Sequence, residues 1–518
     1  MTTISSTISP NFLTTLPIWG WVATLFILWY VTSAIATWYR LRHVPGPFLA
    51  RFSYLWTAYY IARGRVWSTY INLNKYGPVV RVGPNHIVTS DPDALRRIAV
   101  ARSKYVKDDW YKGARFHPEY ENIGTIIDND MHDRAKAKTT SGYSGRENGA
   151  GFEPAIDEQI ARLKDLIRRK YLSVGDGELK RVELSMLMRY LTLDVITRLA
   201  YSKPFGYLDA GTDVYGFIKE SDQSVKVISF FLEQPMIRPF MYSNWGLATF
   251  GPQVTAKEGI GKVMGVVRQI VSERFQNGAK HKDMIGGFIR NGMTQQEVEG
   301  EAMLQLFAGS ETTANALSAA LIYLSTTPHA YIRLKQEIRH AVESGHVDAE
   351  KPITFEQAQG LPYLQAVIWE SLRIRNPVNQ GHYKLVPPGG DTFHGIYLPA
   401  GTAIGHNTMA MTRSQAIFGK DADVYRPERF FRTPYRPGMK RGEVEMDTER
   451  IKALDIVFGG GRWMCSGKQV AMYELNKVLF ELLRGFDFQP VDPKNMWDEE
   501  HYITPKYKNM WVRISDAD

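Results

Sequence analysis

The chain has 518 residues, of which 44% are hydrophobic and 12% aromatic, so it is long enough to bury a large core. Its formal net charge of +9 would suit nucleic acid, an anionic membrane or an acidic protein partner. No zinc-ligand spacing, RNA-recognition signature or long basic run is present, so nucleic acid is disfavoured. Cys465 is the only cysteine, which excludes an internal disulfide and any metal site built from several cysteines.

The N-terminal segment predicts a membrane anchor. No charged side chain precedes Arg40, and residues 18–39 are an apolar run of about 20 residues, long enough to cross a bilayer. Because Arg40 and Arg42 follow the run directly, the positive-inside rule leaves the rest of the chain in the cytosol. A cleaved signal peptide is the alternative, but its early positive region is missing. We therefore expect an anchor over residues 1–43 and a main domain over residues 44–518.

Short elements and a long loop follow the anchor. Residues 79–90 predict a β-hairpin with a Gly-Pro-Asn turn, and residues 91–99 predict a short helix that Asp91 caps. Residues 104–127 predict a long loop, and ordered loops of this length are often functional, although a plain surface connection is the alternative. Residues 156–171 and 184–201 predict amphipathic helices without recognisable chemistry.

His132 and Lys136 are four residues apart, which places both on one face of a helix. By spacing alone, a solvated basic face is one interpretation of this pair.

Residues 294–326 predict one long helix that begins with a capping box formed by Thr294 and Glu297. Inside it, residues 308–313 read Ala-Gly-Ser-Glu-Thr-Thr, which is an unusual sequence for a buried helix. Glycine disfavours the helix interior, and serine and threonine can bond to the preceding turn and bend it. We expect a local widening with room for a small ligand; a helix–helix contact through small residues is the alternative.

Glu370 and Arg373 are spaced to form an ion pair on one helix face, a signal that is weak by itself. A second basic and acidic segment, Tyr-Arg-Pro-Glu-Arg-Phe, follows at residues 425–430.

Cys465 lies in the segment Phe-Gly-Gly-Gly-Arg-Trp-Met-Cys-Ser-Gly at residues 458–467, directly before a helix predicted at residues 468–484. The thiol is a buried inert group, a nucleophile or an axial metal ligand. Glycines let backbone N–H groups approach the sulfur, and the positive end of a helix favours a thiolate. No histidine lies within thirty residues of Cys465 in either direction to serve as a base. A metal ligand is therefore favoured.

This segment resembles the haem-binding loop of the cytochrome P450 family, Phe-x-x-Gly-x-Arg/His-x-Cys-x-Gly. Phe458, Gly461, Cys465 and Gly467 match the pattern, whereas Trp463 stands where the family has an Arg or His that holds a haem propionate. The resemblance covers nearly the whole chain. It implies a mainly α fold with small β-sheets, the cytochrome P450 fold, preceded by one N-terminal transmembrane helix.

The same resemblance implies roles for individual residues. Heme b would be the cofactor, with the Cys465 thiolate as the axial ligand of its iron. Glu311 and Thr312 would be catalytic, because the family uses this acid–alcohol pair to hold dioxygen and relay protons. The other cofactor-binding residues would be His132, Lys136, Lys384, Phe458, Arg462 (in place of the missing Arg or His) and Gly467.

Further segments acquire roles by resemblance alone. Residues 104–127 and 217–244 would cover the distal pocket, although a helix of the protein core is an equally good interpretation of residues 217–244. The turn at residues 502–510 would touch the substrate. Glu370, Arg373 and an arginine of residues 425–430 would form a buried triad that supports the cysteine loop.

The implied activity is that of a haem-thiolate monooxygenase acting on an apolar small molecule. The sequences of the haem loop and of residues 386–390 resemble those of fungal family members that hydroxylate terpenoid, polyketide or alkaloid intermediates. One alternative is a detoxifying O-demethylase of plant phenolics. Others are a haem-thiolate isomerase or dehydratase, which often lacks the acid–alcohol pair, and a non-catalytic carrier.

The resemblance also implies a partner and a location. No Gly-x-Gly-x-x-Gly follows a predicted strand, so NADPH would deliver electrons through a separate NADPH-cytochrome P450 reductase. An acidic face of that reductase could dock on Lys440, Arg441, Arg462 and Lys468, with plain surface solvation as the alternative. The protein would be a single-pass protein of the endoplasmic reticulum membrane with a cytosolic catalytic domain.

Overall fold

The computed structural model describes residues 17–146, 151–175, 179–278 and 280–517. Its helices are α1 Ile18–Arg40, α2 Leu55–Ala62, α3 Val66–Ile71, α4 Pro92–Ala99, α5 Asn129–Tyr143, α6 Glu153–Leu166, α7 Leu184–Tyr201, α8 Tyr207–Ala210, α9 Phe217–Leu232, α10 Arg238–Met241, α11 Asn244–Phe250, α12 Gly259–Gln276, α13 Met284–Arg290, α14 Gln295–Ser325, α15 Pro328–Glu343, α16 Phe355–Gln359, α17 Pro362–Ile374, α18 Thr408–Thr412, α19 Gln415–Phe418, α20 Thr448–Asp455 and α21 Lys468–Gly485.

The strands are short. They are β1 Val79–Arg81, β2 His86–Thr89, β3 Val106–Lys107, β4 Arg181–Glu183, β5 Gln380–Leu385, β6 Asp391–Phe393, β7 Ile396–Leu398, β8 Ala403–Asn407, β9 Phe486–Pro490, β10 Asp498–His501, β11 Pro505–Lys508 and β12 Trp511–Asp516. One sheet has five strands in the order β1-β2-β8-β5-β3, and the others have two or three.

Helix α14 runs through the centre of the protein, where it packs against α7, α12, α17 and α21. The predicted capping box is confirmed. The Glu297 N–H donates to Thr294 Oγ1 at 3.3 Å, and the Thr294 N–H donates to Glu297 Oε2 at 2.8 Å. Most of its side chains are buried, so this long helix is a core element of the protein.

Two local predictions near the N-terminus are also confirmed. Strands β1 and β2 pair antiparallel, with Val79 opposite Thr89. The Asp91 carboxylate accepts a hydrogen bond from the Asp93 N–H and thereby caps α4.

Other segments differ from expectation. Residues 104–127 contain β3 and a 3-10 helix, and residues 217–244 are divided between α9, α10 and the start of α11. The helix predicted at 156–171 begins at Glu153 and ends in a π-helical turn, Ile167–Tyr171. The turn predicted at 502–510 is shorter, because β10 and β11 form a hairpin on either side of residues 502–504.

Helix α1 has 23 residues and a mean hydropathy of 1.6 over its most apolar stretch, and none of that stretch is buried inside the protein. By length and composition it is able to cross a membrane.

The predicted triad is present and fully buried. Glu370 Oε2 accepts from Arg373 Nε at 2.7 Å, and Glu370 Oε1 accepts from Arg429 Nε at 3.0 Å. Both arginines also donate to backbone carbonyl groups between Thr412 and Val424, so the triad fixes this stretch of backbone.

Candidate active site

A cavity of about 390 Å³ lies between α14 and the loop that carries Cys465. Its walls come from α5, α14, α21, β5, β8 and residues 457–467. The predicted loop and the central helix of the fold therefore enclose the same space.

The Cys465 loop is shaped by glycines and by one short hydrogen bond between backbone groups. Gly461 has a φ of 45°, and a Cβ at this position would lie 2.0 Å from the Ala99 carbonyl oxygen. No other residue type fits there without moving the backbone. The Cys465 N–H donates to the Phe458 carbonyl oxygen at 2.7 Å, which closes the loop and presents the thiol just before α21.

The thiol faces internal space. Cys465 has a large accessible surface, and it lines the cavity. We therefore interpret this surface as facing the cavity and not the outside of the protein. Burial raises the pKa of the Cys465 thiol, whereas the N–H groups of Gly467 and Lys468 and the charges of Lys136 and Lys468 act in the opposite direction. These N–H groups and charges favour the thiolate form of Cys465, which is the form that binds a metal.

His132 and Lys136 both line the cavity from α5. Burial, together with the charge of Lys107, lowers the pKa of His132 to about 4. Burial also lowers the pKa of Lys136, while Cys465 and Asp133 oppose that effect. The shared helix face that the sequence indicated is therefore turned inward.

Lys384 also lines the cavity, opposite a lysine that sequence reasoning missed. In the β3–β5 pairing Lys107 lies directly across from Lys384, and each residue is 3% exposed. Burial lowers the pKa of Lys107 to about 7 and that of Lys384 well below its ordinary value. Like charges in this position repel, so the pair indicates a site for an anionic group.

The lysine pair has few acidic partners. Lys107 Nζ donates to the carbonyl oxygens of Ile123 and Gly124 at 2.8 and 3.1 Å, and Lys384 Nζ donates to the Tyr111 hydroxyl and the His382 carbonyl. The sequence did not indicate a role for Lys107, because its position opposite Lys384 depends on the register of a two-residue strand.

Arg462 points away from the cavity. Its Nε donates to Asp133 Oδ2 at 3.1 Å and its Nη1 to the Ser103 carbonyl oxygen at 3.0 Å. These contacts engage Arg462 within the protein, and its expected role with a propionate stays a prediction. Trp463 does line the cavity, and Lys384 Nζ lies 4.6 Å from the centre of its ring, a cation–π contact.

Ala308, Gly309, Thr312 and Thr313 line the cavity from α14. The expected widening is not seen, because α14 is an uninterrupted α-helix. Thr312 Oγ1 donates back to the Ala308 carbonyl oxygen at 2.8 Å.

Glu311 turns to the other side of α14. Its carboxylate forms an ion pair with Lys506 of β11, and Thr504 Oγ1 donates to it at 3.4 Å. The acid and the alcohol are therefore neighbours in sequence whose side chains are not hydrogen-bonded to each other.

Two wall residues, His382 and His406, gave no signal in the sequence. Both line the cavity, and their rings lie 5.5 Å apart. Burial, together with the nearby charges of His382 and Lys384, lowers the pKa of His406 well below its ordinary value. Much of the remaining wall is apolar, including Leu95, Ile98, Leu304, Val378 and Val470.

These residues fit a haem. The cavity offers one thiol as an axial ligand, Lys107, Lys136 and Lys384 together with His132 for two carboxylates, and small residues of α14 that leave room for a flat ring. In addition, Trp463 Nε1 is a buried donor without a hydrogen-bond partner among the described residues.

Comparison with known proteins agrees with this geometry. The family model described as Cytochrome P450 matches residues 44–512. The chain is 43% identical over 506 residues to Cytochrome P450 monooxygenase ABA1 of Pyricularia oryzae, covering 95% of both chains. It is 43% identical over 482 residues to Cytochrome P450 monooxygenase aba1 of Botryotinia fuckeliana, covering 92% of both. Pisatin demethylase of Fusarium vanettenii is 28% identical over 500 residues, covering 93% of this chain and 90% of the relative.

Among solved structures, the chain resembles one titled "Crystal structure of cytochrome P450DA heme domain" with a TM-score of 0.70 and 16% identity. The match covers 92% of this chain and 98% of that one, which confirms the predicted fold. The chain therefore belongs to the cytochrome P450 family and is a cytochrome P450 monooxygenase.

Proposed function

We propose that the protein oxidises an apolar small molecule, using O2 and electrons supplied by NADPH through a separate reductase. The observation that carries this proposal is that Cys465 and Thr312 line one cavity with largely apolar walls. An axial ligand and a hydroxyl group on the central helix would then face the same enclosed space, in which the substrate would bind.

Heme b would be bound with Cys465 as the axial ligand of its iron. Its carboxylates would lie at the edge formed by His132, Lys136, Lys107 and Lys384, where basic groups outnumber acidic partners. Phe458 would pack beside the ring, and the Gly467 N–H would stabilise the thiolate charge. Bound haem supplies the activation of dioxygen, and a thiolate ligand favours cleavage of the O–O bond.

Thr312 and Glu311 would hold and deliver protons on the α14 side. The Thr312 hydroxyl lines the cavity, while Glu311 lies next to it in a polar region between α14 and the β10–β11 hairpin. Retention of this pair favours a monooxygenase over a haem-thiolate isomerase or dehydratase.

The substrate would be an intermediate of fungal secondary metabolism, of the terpenoid, polyketide or alkaloid class. The apolar wall suits such a molecule, and His406 offers a hydrogen bond to a polar substituent. O-demethylation of a plant phenolic is the second candidate, which the relative named Pisatin demethylase supports at lower identity.

Residues 1–43 would anchor the protein in the endoplasmic reticulum membrane, with residues 44–518 as the cytosolic catalytic domain. The exposed apolar helix α1 and the basic residues that follow it support this placement. For reductase docking we favour Lys440 and Arg441, which are exposed, over Lys468 and Arg462, which pair with Asp455 and Asp133.

The experiment is turnover by the purified protein with reductase, NADPH and ¹⁸O2. Candidate metabolites are first ranked by the absorption change that they cause on binding. One labelled oxygen atom in the product, with strict dependence on O2, would support the proposal. A product formed without O2 would contradict it, and formaldehyde from a methoxylated phenolic would favour the demethylase.

A further inference from the structure

The β10–β11 hairpin supplies the partner of Glu311. Lys506, on β11, has a side chain that is 3% exposed, and it forms an ion pair with the 13% exposed Glu311 carboxylate. A pair this far from solvent is weakly screened, so each charge constrains the position of the other.

Two further charged residues complete the cluster. Lys506 Nζ lies 2.8 Å from Asp222 Oδ1 of α9, and Arg189 of α7 donates to both oxygens of Asp222 at 2.7 and 2.9 Å. Arg189 also lies 4.0 Å from Glu311. Burial opposes ionisation of Asp222, yet Arg189 and Lys506 lower the pKa of Asp222 to about 2. The two carboxylates of this cluster, Glu311 and Asp222, are therefore balanced by its two cations, Lys506 and Arg189.

The backbone on either side of Lys506 is fixed by the core helices. Asn315 of α14 donates to the Pro505 carbonyl oxygen at 2.9 Å, and Ser185 of α7 donates to the Tyr507 carbonyl oxygen at 3.1 Å. Lys506 is therefore presented to Glu311 by a rigid strand and not by a freely moving loop.

We propose that Lys506 is a positioning residue for Glu311. It holds the carboxylate on the hairpin side of α14 in one orientation, and so determines how well protons reach the cavity. This inference rests on the proposed function of Glu311 and Thr312. It assigns a role in proton delivery to the C-terminal hairpin, which the sequence linked only to substrate contact.

The consequence of losing Lys506 follows from the geometry. Without its ammonium group, the cation that the described part of the chain still brings to Glu311 is Arg189, 4.0 Å away, which Asp222 already engages through both oxygens. The Glu311 side chain would lose its fixed orientation, while the Arg189–Asp222 pair would keep the surrounding structure in place.

The test compares Lys506→Met, Lys506→Arg and the control Lys508→Met in the holoenzyme. Lys508 lies on the same strand but is 54% exposed and pairs with Glu500. We expect Lys506→Met to lower product formed per NADPH about tenfold and to raise the solvent isotope effect on product formation. Substrate affinity, from the absorption change on binding, and the spectrum of the reduced carbon monoxide complex should not change.

Lys506→Arg should restore most of the coupling, since a guanidinium group can hold the same carboxylate, and Lys508→Met should match the wild type. Normal coupling in Lys506→Met would overturn the inference. So would a Lys506→Arg variant as impaired as Lys506→Met, because a positioning charge would then be insufficient.

Glu311→Gln separates this inference from the proposed function. If Glu311→Gln alone leaves coupling intact, the relay role of Glu311 fails. If Glu311→Gln uncouples turnover and Lys506→Met does not, only the inference about Lys506 fails. The double variant should be no worse than Glu311→Gln, because Lys506 acts through Glu311.

Discussion

Lys136 of α5 donates a hydrogen bond of 3.0 Å from Nζ to the carbonyl oxygen of Met464, the residue before Cys465. The same ammonium group donates to the Arg462 carbonyl oxygen at 2.7 Å. A helix early in the chain thereby holds the backbone of the cysteine loop, so one lysine serves both the loop and the basic edge of the cavity.

This relationship predicts the effect of Lys136→Met. Loss of two bonds to the loop and of one positive charge should speed haem dissociation by about 10- to 100-fold, as for other residues that support a metal ligand. Haem transfer to excess apomyoglobin measures the rate. Lys138→Met is the matched control, because Lys138 lies on α5 but pairs with Glu297 at the surface. Equal dissociation rates in the two variants would contradict the prediction.

Glu370→Gln should destabilise the fold strongly. The carboxylate balances two arginines that are, like it, 0% exposed, and removing one partner from a buried ion network typically costs about 3–5 kcal/mol. Denaturant unfolding measures the free energy. Glu449→Gln changes an exposed carboxylate that pairs with Lys452 and should have little effect. Similar stabilities for both variants would show that the triad is not needed for folding.

Thr312→Ala should uncouple turnover without unfolding the protein. Among the described residues, the hydroxyl makes only a hydrogen bond back to Ala308 within α14, so its loss leaves the helix intact, while proton delivery should fall by roughly tenfold or more. Product and hydrogen peroxide formed per NADPH are the measurements. Thr326→Ala removes the same type of bond at the end of α14, away from the cavity. Tight coupling in Thr312→Ala would refute a role for this hydroxyl.

Deletion of residues 1–39 should release the protein from membranes. The deletion removes nearly all of α1, whose apolar side chains are mostly exposed and none of which is fully buried. Sedimentation with lipid vesicles before and after the deletion measures binding. If the shortened protein still sediments with vesicles, other surfaces also bind the membrane.

Glu337 predicts a pH dependence of stability. It is 2% exposed, and burial raises the pKa of its carboxyl from 4.5 to about 7, although the Tyr363 and Leu364 N–H groups oppose this. The folded protein then binds a proton that the unfolded chain releases, so stability falls as the pH rises from about 4.5 to 7. Glu337→Gln should flatten this part of the curve of thermal unfolding against pH.

Glu343→Gln, an exposed change at the end of the same helix, is the control and should keep the wild-type slope. The prediction is wrong if Glu337→Gln and the wild type lose stability equally over this range.

Signals carried by neighbouring residues were visible in the sequence. Thr294 and Glu297 marked the start of α14, and Asp91 marked the start of α4, because a cap needs only residues within one turn. The motif around Cys465 identified the family for a similar reason, since one short loop carries most of its features.

Features that depend on distant contacts were not visible. Lys107 joins the basic edge only through the pairing of β3 with β5, and Glu311 meets Lys506 only through the docking of the β10–β11 hairpin. The direction of Arg462 was likewise decided by Asp133 and Ser103, which no local pattern around Cys465 reveals. Such contacts follow from the register of strands and the packing of helices.

The central claim is that Cys465 is the axial ligand of a bound haem. The absorption spectrum of the reduced protein with carbon monoxide tests it most directly, measured for the wild type and for Cys465→Ser. We predict a Soret band at the position typical of thiolate ligation in the wild type and its loss in Cys465→Ser. A histidine-type band in the wild type, or an unchanged band in Cys465→Ser, would contradict the account.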